Sequence, residues 1–346
     1  MKEIGSFVKP SIEAKKITYA EGYHIYSDGK KWIDTMSGLW CVPLGYSNDQ
    51  IKTAMRTQLD LLPYYNNYFE TQCDITERYA EALCEEARFD RAYFSNSGAE
   101  AVETAIKIAH HNRPTGKCMV FKNSYHGASV LSGYTSDYDL HTFHKMKAPI
   151  EVHLWDGKKI PEDMSFVLIE PVICAGGVRD HSRDTWAAIY EYQKKGGIVI
   201  FDEIVTGFGK TGTMFAKDWV GMEPDMMTLG KAITNGYVPF AATLINERLL
   251  PKSTFEHGYT CSGHPVAARA AMAALLQYQT MEFADDYIGY REFKTIKEAV
   301  KFKAHMYEEG YIVEYSSSDI KRVVYCLPYI LPEDEKKKFH EHFYSS

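Results

Sequence analysis

Apolar residues fall in short unbroken runs through the middle of the chain, separated by stretches with helical spacing. Gly197-Ile198-Val199-Ile200-Phe201 and Met226-Met227-Thr228-Leu229-Gly230 are two such runs, and Ala92 to Phe94, Lys117 to Phe121, Phe166 to Ile169 and Phe240 to Ile245 read the same way. Runs this short and this apolar suit strands buried on both faces. Between them, Gly98 to His111 sets Val102, Ala105, Ile106 and Ala109 on one helical face, and helical stretches follow near 183–195 and 264–280. Strands alternating with helices predict an α/β fold built on a mostly parallel, doubly wound sheet. The ends differ. Gly22 to Trp32 reads as a hairpin turning at Asp28-Gly29. Residues from about 282 predict a charged helix, a strand at Lys321 to Tyr325 and a last helix after Pro332. These patterns assign residues 46–281 to a large domain, and residues 1–45 with 282–346 to a smaller α+β domain.

Candidate chemistry collects where the runs stop. One apolar run ends at Asp202 and the other leads into Lys231, which places an acid and an amine at one edge of a parallel sheet. Open α/β sheets bind ligands at that edge. The pair suits pyridoxal phosphate, which needs a Schiff-base lysine and a carboxylate for its pyridinium nitrogen; a structural ion pair is the alternative. Ser97-Gly98-Ala99-Glu100 opens a helix with capping-box spacing, and such a start either binds phosphate through free N–H groups or is a cap and nothing more. Tyr125, in Tyr125-His126-Gly127, is placed to stack on a planar cofactor or to pack in the core, and Gly127 leaves room beside it. Glu170 ends a third strand, and Ile204 follows Asp202 closely enough to cover the other ring face. Gly207-Phe208-Gly209-Lys210-Thr211-Gly212 matches the dinucleotide fingerprint, but it trails an acid-ended strand and precedes no obvious helix.

Composition narrows the classes. The 346 residues suffice for roughly two domains, and a net charge of −7 with no basic run interleaved with aromatics argues against nucleic acid. The start of the chain carries no apolar signal segment, and no stretch is apolar enough to span a membrane. Seven scattered cysteines, without a C-x-x-C pair, argue against a disulfide framework or zinc site and point to the cytoplasm.

Taken in order, the segments resemble the class III (ω-amino acid type) pyridoxal-phosphate aminotransferases of fold type I. The resemblance rests on Ser37-Gly38-Leu39-Trp40, Asn96 to Glu103, Tyr125-His126-Gly127, Glu170-Pro171, Asp202 to Gly212, Leu229-Gly230-Lys231-Ala232 and His257 to Pro265, and it covers about 30 to 280 firmly. It implies Lys231 as the Schiff-base lysine and proton carrier, and Asp202 as the partner of the ring nitrogen. It implies Ser97, Gly98 and Ala99 as the phosphate cradle, Tyr125 and Ile204 on the two ring faces, and His126 and Glu170 among the cofactor contacts. Thr260 would reach the phosphate of a neighbouring subunit, so a homodimer with shared sites is implied. The reaction implied is ping-pong transfer of an amino group from a small amine donor to a keto or aldehyde acceptor through pyridoxamine phosphate.

The chain departs from the family at its ends. It is shorter than usual, lacks the usual extended N-terminal segment, and carries only about 45 residues between His264-Pro265 and Glu309-Gly310. Leu327 to Pro332 resembles the end of the 7,8-diaminopelargonate branch. Where relatives often carry an arginine for the substrate carboxylate, this chain reads Glu314 to Asp319, with Arg322 the nearest candidate. Glu314 would repel a carboxylate and favour a cationic amine. Tyr19 and Trp40 are candidate pocket walls. Together these departures point to an unusual amine donor or a bulky carbonyl acceptor, including one carried on another molecule. An aminomutase or racemase would share the same cofactor residues. A non-catalytic protein of this fold would not need Lys231, Asp202 and Thr260 together, and a nicotinamide oxidoreductase has only the glycine block in its favour.

Overall fold

The computed structural model describes residues 15–137 and 149–345. Near the start, β1 (Tyr19–Glu21), β2 (His24–Ser27) and β3 (Lys30–Ile33) form an antiparallel sheet. Asp28 (φ 50°) and Gly29 (φ 74°) both take the left-handed conformation that a tight two-residue hairpin turn requires. Helices α1 (Asp49–Leu61) and α2 (Asp74–Ala87) follow.

Seven strands among the described residues make the central sheet. In chain order they are β4 (Arg91–Ser95), β5 (Lys117–Val120), β6 (Glu151–Leu154), β7 (Phe166–Ile169), β8 (Val199–Asp202), β9 (Met226–Leu229) and β10 (Ala241–Ile245). Their spatial order is β4-β10-β9-β8-β7-β5-β6. Strand β10 runs antiparallel to both neighbours and the other pairs are parallel, so the sheet is mostly parallel, as the apolar runs predict.

Helices α3 (Gly98–Asn112), α4 (Val130–Thr135), α5 (Arg183–Lys194) and α6 (Ala216–Val220) run between these strands, and alternate residues of each central strand enter opposite cores. Val167, Ile169, Val199, Phe201, Met227 and Leu229 face the side covered by α7 (Pro265–Tyr278). Phe166, Leu168, Ile198, Ile200 and Met226 face α3 (Gly98–Asn112), through Val102, Ala105 and Ile106. Burial on both faces is why these runs lack a polar alternation.

The last part of the chain differs from the sequence reading. The region from about 282 begins with strand β11 (Ile288–Glu292), and the charged helix α8 (Ile296–Glu308) starts only after it. A capping box between Thr295 and Glu298 fixes that start. Strand β13 (Arg322–Cys326) lies between β11 and the short β12 (Glu314–Tyr315), and α9 (Glu333–Ser345) closes the chain. Strand β11 reads as polar because it pairs on one side only and buries just Gly289. The two ends of the chain meet here: Ile33 N donates to Gly310 O (2.8 Å) and Ile312 N to Ile33 O (3.0 Å). No described helix is long and apolar enough to cross a membrane.

Candidate active site

Strands β8 and β9 are parallel neighbours in which Asp202 pairs with Thr228, so Asp202 and Lys231 do emerge at one sheet edge. Asp202 is almost fully buried. Its Oδ2 accepts from His126 Nδ1 (2.7 Å), and its Oδ1 from Ile204 N (3.1 Å) and Thr228 Oγ1 (3.2 Å). A carboxylate has about four acceptor sites, so one is left unused among the described residues. Thr228 is a contact that reading the sequence missed. Its signal was there, a lone polar residue in an apolar run, in register with Asp202.

Lys231 opens a single 3₁₀ turn at φ 44°. Among the described residues it has no hydrogen bond or ion pair, and its Nζ lies 5.6 Å from the centre of the Trp40 ring. The two residues are therefore not a structural ion pair. Trp40 reaches the cleft from a left-handed turn over Ser37, Gly38, Leu39 and Trp40, whose φ values run from 46° to 65°. Such a conformation costs roughly 1–2 kcal/mol at each non-glycine position. Buried Asp34 holds the turn by accepting from Met36 N (3.0 Å), Gly38 N (2.6 Å) and Tyr46 Oη (2.5 Å).

The helix start expected at Gly98 is present. Ser97 caps α3 by accepting from Glu100 N (3.3 Å), and the first amides of a helix, those of Gly98 and Ala99, have no intrahelical partner. The capping box is only half formed, because Glu100 Oε2 accepts from Asn96 N (2.7 Å) and Nδ2 (3.0 Å) rather than from Ser97 N. A Cβ on Gly98 would lie 2.7 Å from Ile204 Cδ1, so the glycine lets the cradle and Ile204 approach one another. Gly127 makes room for Ala99 and Ser132: a Cβ there would lie 2.8 Å from Ala99 Cβ and 2.7 Å from Ser132 Oγ. It thereby docks the Tyr125-His126 loop on the helix start. Gly98→Ala is expected to weaken cofactor binding about tenfold, because Ile204 must shift from its place against the helix start. Its effect on stability is under about 1 kcal/mol, since the clash is with the end of a flexible side chain. Adding Ile204→Val recovers part of the affinity, and a cofactor titration of both variants checks this.

Two buried carboxyls flank the pair. Glu170 accepts from Tyr125 N (2.8 Å) and Cys174 N (3.2 Å), which fixes the Tyr125 loop, and burial pushes its pKa up to about 7. Burial also pushes the Tyr125 hydroxyl up, aided by the Asp202 and Glu170 charges. Glu203 accepts from Ala216 N (2.6 Å) and Lys217 N (2.8 Å), and burial raises it to about 7 as well. Between an unfolded value near 4.5 and this folded value the native state holds the extra proton, so stability from Glu203 falls as pH rises through that window. Relative to Glu203→Gln, the cofactor-free wild type should lose about 2–3 kcal/mol between pH 5 and pH 8. Urea unfolding at the two pH values reads the difference.

Other expected residues lie elsewhere. Arg322 is buried and committed: its guanidinium donates to Glu292 (2.9 and 2.6 Å) and to Gly177 O (3.0 Å) and stacks on Tyr290. It does not offer a free anchor for a substrate carboxylate. Glu314 pairs with Lys303 and accepts from Tyr307 Oη (3.3 Å), so its charge is already balanced. Tyr19 is 56% exposed and packs on Tyr26 in the outer hairpin. Thr260 is exposed and lines a cleft with Asn96, Glu100, Tyr259 and His264. The glycine block cannot hold a dinucleotide, because Phe208 N and Gly209 N both bond Met214 O (2.7 and 3.1 Å). Lys210 within it is wholly buried, and burial pushes its pKa down.

A model of the class-III aminotransferase family matches residues 10–293. The putrescine–pyruvate aminotransferase of Pseudomonas aeruginosa is 32% identical over 304 residues, covering 75% of this chain and 66% of that protein. A probable γ-aminobutyrate transaminase 2 of rice is 31% identical over 316 residues, covering 78% of this chain and 64% of that one. The chain thus spans a little under two thirds of the length of these relatives. An amine transaminase from an uncultivated Pseudomonas species, in its pyridoxal-phosphate-bound form, superposes with a TM-score of 0.90 at 23% identity, over 99% of this chain and 97% of that one. The fold is that of the pyridoxal-phosphate transaminases, and with the family matched across most of its sequence the chain belongs to the class-III aminotransferases.

Proposed function

We propose that this chain is a pyridoxal-phosphate-dependent aminotransferase that moves an amino group from an amine donor to a keto or aldehyde acceptor. One observation carries the reading. A buried carboxylate with an unused acceptor site and a lysine without a hydrogen bond or ion pair among the described residues share a sheet edge, beside a glycine-opened helix start. The fit to the cofactor is chemical: Asp202 suits a protonated ring nitrogen, and the Gly98 and Ala99 amides suit a phosphate. When bound, the cofactor supplies a carbonyl for the amine and an electron sink beside it.

The chain's own groups do the rest. His126 Nδ1, with Thr228 and the Ile204 amide, holds Asp202 in one orientation. Glu170 fixes the Tyr125 backbone, which sets the ring beside the cleft. Lys231 Nζ would take the proton from the carbon bearing the amine and pass it to the cofactor within the same half-reaction, and with the acceptor the same transfers would run in reverse. Trp40 shields that nitrogen from water on one side.

With Arg322 bound to Glu292, the substrate side lacks the expected guanidinium, which supports donors without a carboxylate on the reacting carbon. The relative named for putrescine and pyruvate supports the same class. The exposed Thr260 cleft supports a homodimer in which Thr260 of each copy completes the other's phosphate site. Seven unpaired thiols suit the cytoplasm. The proposal extends to a bulky or carrier-borne acceptor.

The test is the visible spectrum of the purified protein with added pyridoxal phosphate, followed by donors from alanine to diamines with keto acids, aldehydes and carrier-borne ketones. A Schiff-base absorption that is lost on adding an amine and restored by a carbonyl acceptor supports the reading. A protein that takes up no cofactor refutes it, and turnover without a separate acceptor makes it an aminomutase or racemase. A clear preference for small α-amino acids would overturn the substrate assignment alone.

A further inference from the structure

Helices α8 and α9 pack through Phe302 and Met306 of the first, and Phe339 and Phe343 of the second. That packing fixes which residues meet at the rim of the contact. His305 and Glu309 lie one turn apart on the α8 side, and His342, next to the anchored Phe343, faces them from α9. Glu309 Oε1 is 4.0 Å from His305 Nδ1, and Glu309 Oε2 is 3.8 Å from His342 Nδ1. One ligand atom from each residue lies within 4.8 Å of the other two. These separations are too long for hydrogen bonds, yet all three groups converge on one point and each side chain is 40% exposed.

We propose that His305, Glu309 and His342 form a binding site for a divalent transition metal, zinc in the first instance. Two imidazole nitrogens and one carboxylate are the donors zinc accepts at about 2.0–2.2 Å. Magnesium and calcium prefer sets made of oxygen alone. Tetrahedral donors lie closer together than these do, so loading draws the three inward by roughly half an ångström each. Exposed side chains on helix surfaces can move that far without disturbing Phe302 or Phe343. The partial exposure leaves the fourth position to water, which makes this an open three-ligand site. Its residues are separate from those around Asp202 and Lys231. A bound ion would clamp the last helix of the chain onto α8, so the site tunes the stability of that region rather than the reaction.

The experiment is calorimetric titration of the tag-free full-length chain with zinc alone, after removal of excess cofactor, alongside His342→Ala and Glu309→Gln. Glu309→Gln leaves the aromatic core untouched and His342→Ala removes only the ring contact with Tyr311 at its edge, so both variants should fold as the wild type does. The expected result is one zinc per chain with Kd at or below about 10 μM, weakened at least about 100-fold in each variant. The wild type alone should then melt at higher temperature in saturating zinc. Variants that bind zinc as tightly as the wild type would place the ion elsewhere and overturn the proposal. So would a wild type that binds nothing at about 100 μM.

Discussion

Lys231→Ala is expected to remove turnover, by at least about 10⁴-fold in kcat, and to leave the protein without Schiff-base absorption. The loss should come without unfolding. Lys231 sits at φ 44°, but alanine carries the same Cβ, so the backbone strain is unchanged. The ammonium has no ion-pair or hydrogen-bond partner among the described residues, so no buried group is orphaned by its removal. Stability should therefore stay within about 1 kcal/mol of wild type. Lys231→Arg separates charge from chemistry, because it keeps a cation beside Trp40 and cannot form the covalent link. If it turns over at more than a hundredth of the wild-type rate, the lysine acts only as a charge and the assignment fails. Spectra and single-turnover rates of both variants make the measurement.

The site's backbone was legible because its residues sit where one physical signal stops and another starts. Asp202 and Lys231 stand at the ends of strands that must be apolar because both faces are buried, so a charge there has to point along the sheet edge. Gly98 was legible for the same reason, at the junction of strand and helix. The substrate side was not legible. Arg322 is near in sequence to the position an anchor would take, but the pairing of β11 with β13 sets it opposite Glu292, and that register is invisible in a linear reading. Glu314 is neutralised by Lys303 from α8, a partner eleven residues away across a turn. The left-handed course of Ser37 to Trp40 was hidden too, because only Gly38 among the four advertises it. Strands β6 and β11 escaped because each lies at an edge, where polar residues are tolerated.

Asp202→Asn should lower kcat by about 10³-fold while cofactor binding and fold persist. The argument rests on what asparagine can and cannot replace. Its carbonyl oxygen can still accept from Ile204 N and Thr228 Oγ1, so the end of β8 keeps its local bonds. Its amide then faces His126, whose Nδ1 can accept once the proton moves to Nε2. Nε2 has no partner among the described residues, so the tautomer change breaks no other bond. What disappears is the negative charge that keeps a pyridine nitrogen protonated, and with it the electron sink that the proton transfer at Lys231 requires. Because the charge matters when the carbon loses its proton rather than when the amine binds, the fall should appear in kcat, with KM changed only a few-fold. The half-reaction with an amine, followed in a stopped-flow spectrometer, reads this directly. A variant that transfers the amino group at the wild-type rate would show that the unused acceptor site on Asp202 has no part in the chemistry. A variant that loses both cofactor and fold would instead make Asp202 a structural residue. His126→Gln supplies the control: it keeps the Asp202 charge, loosens its orientation, and should fall between the two, at about 10-fold below wild type.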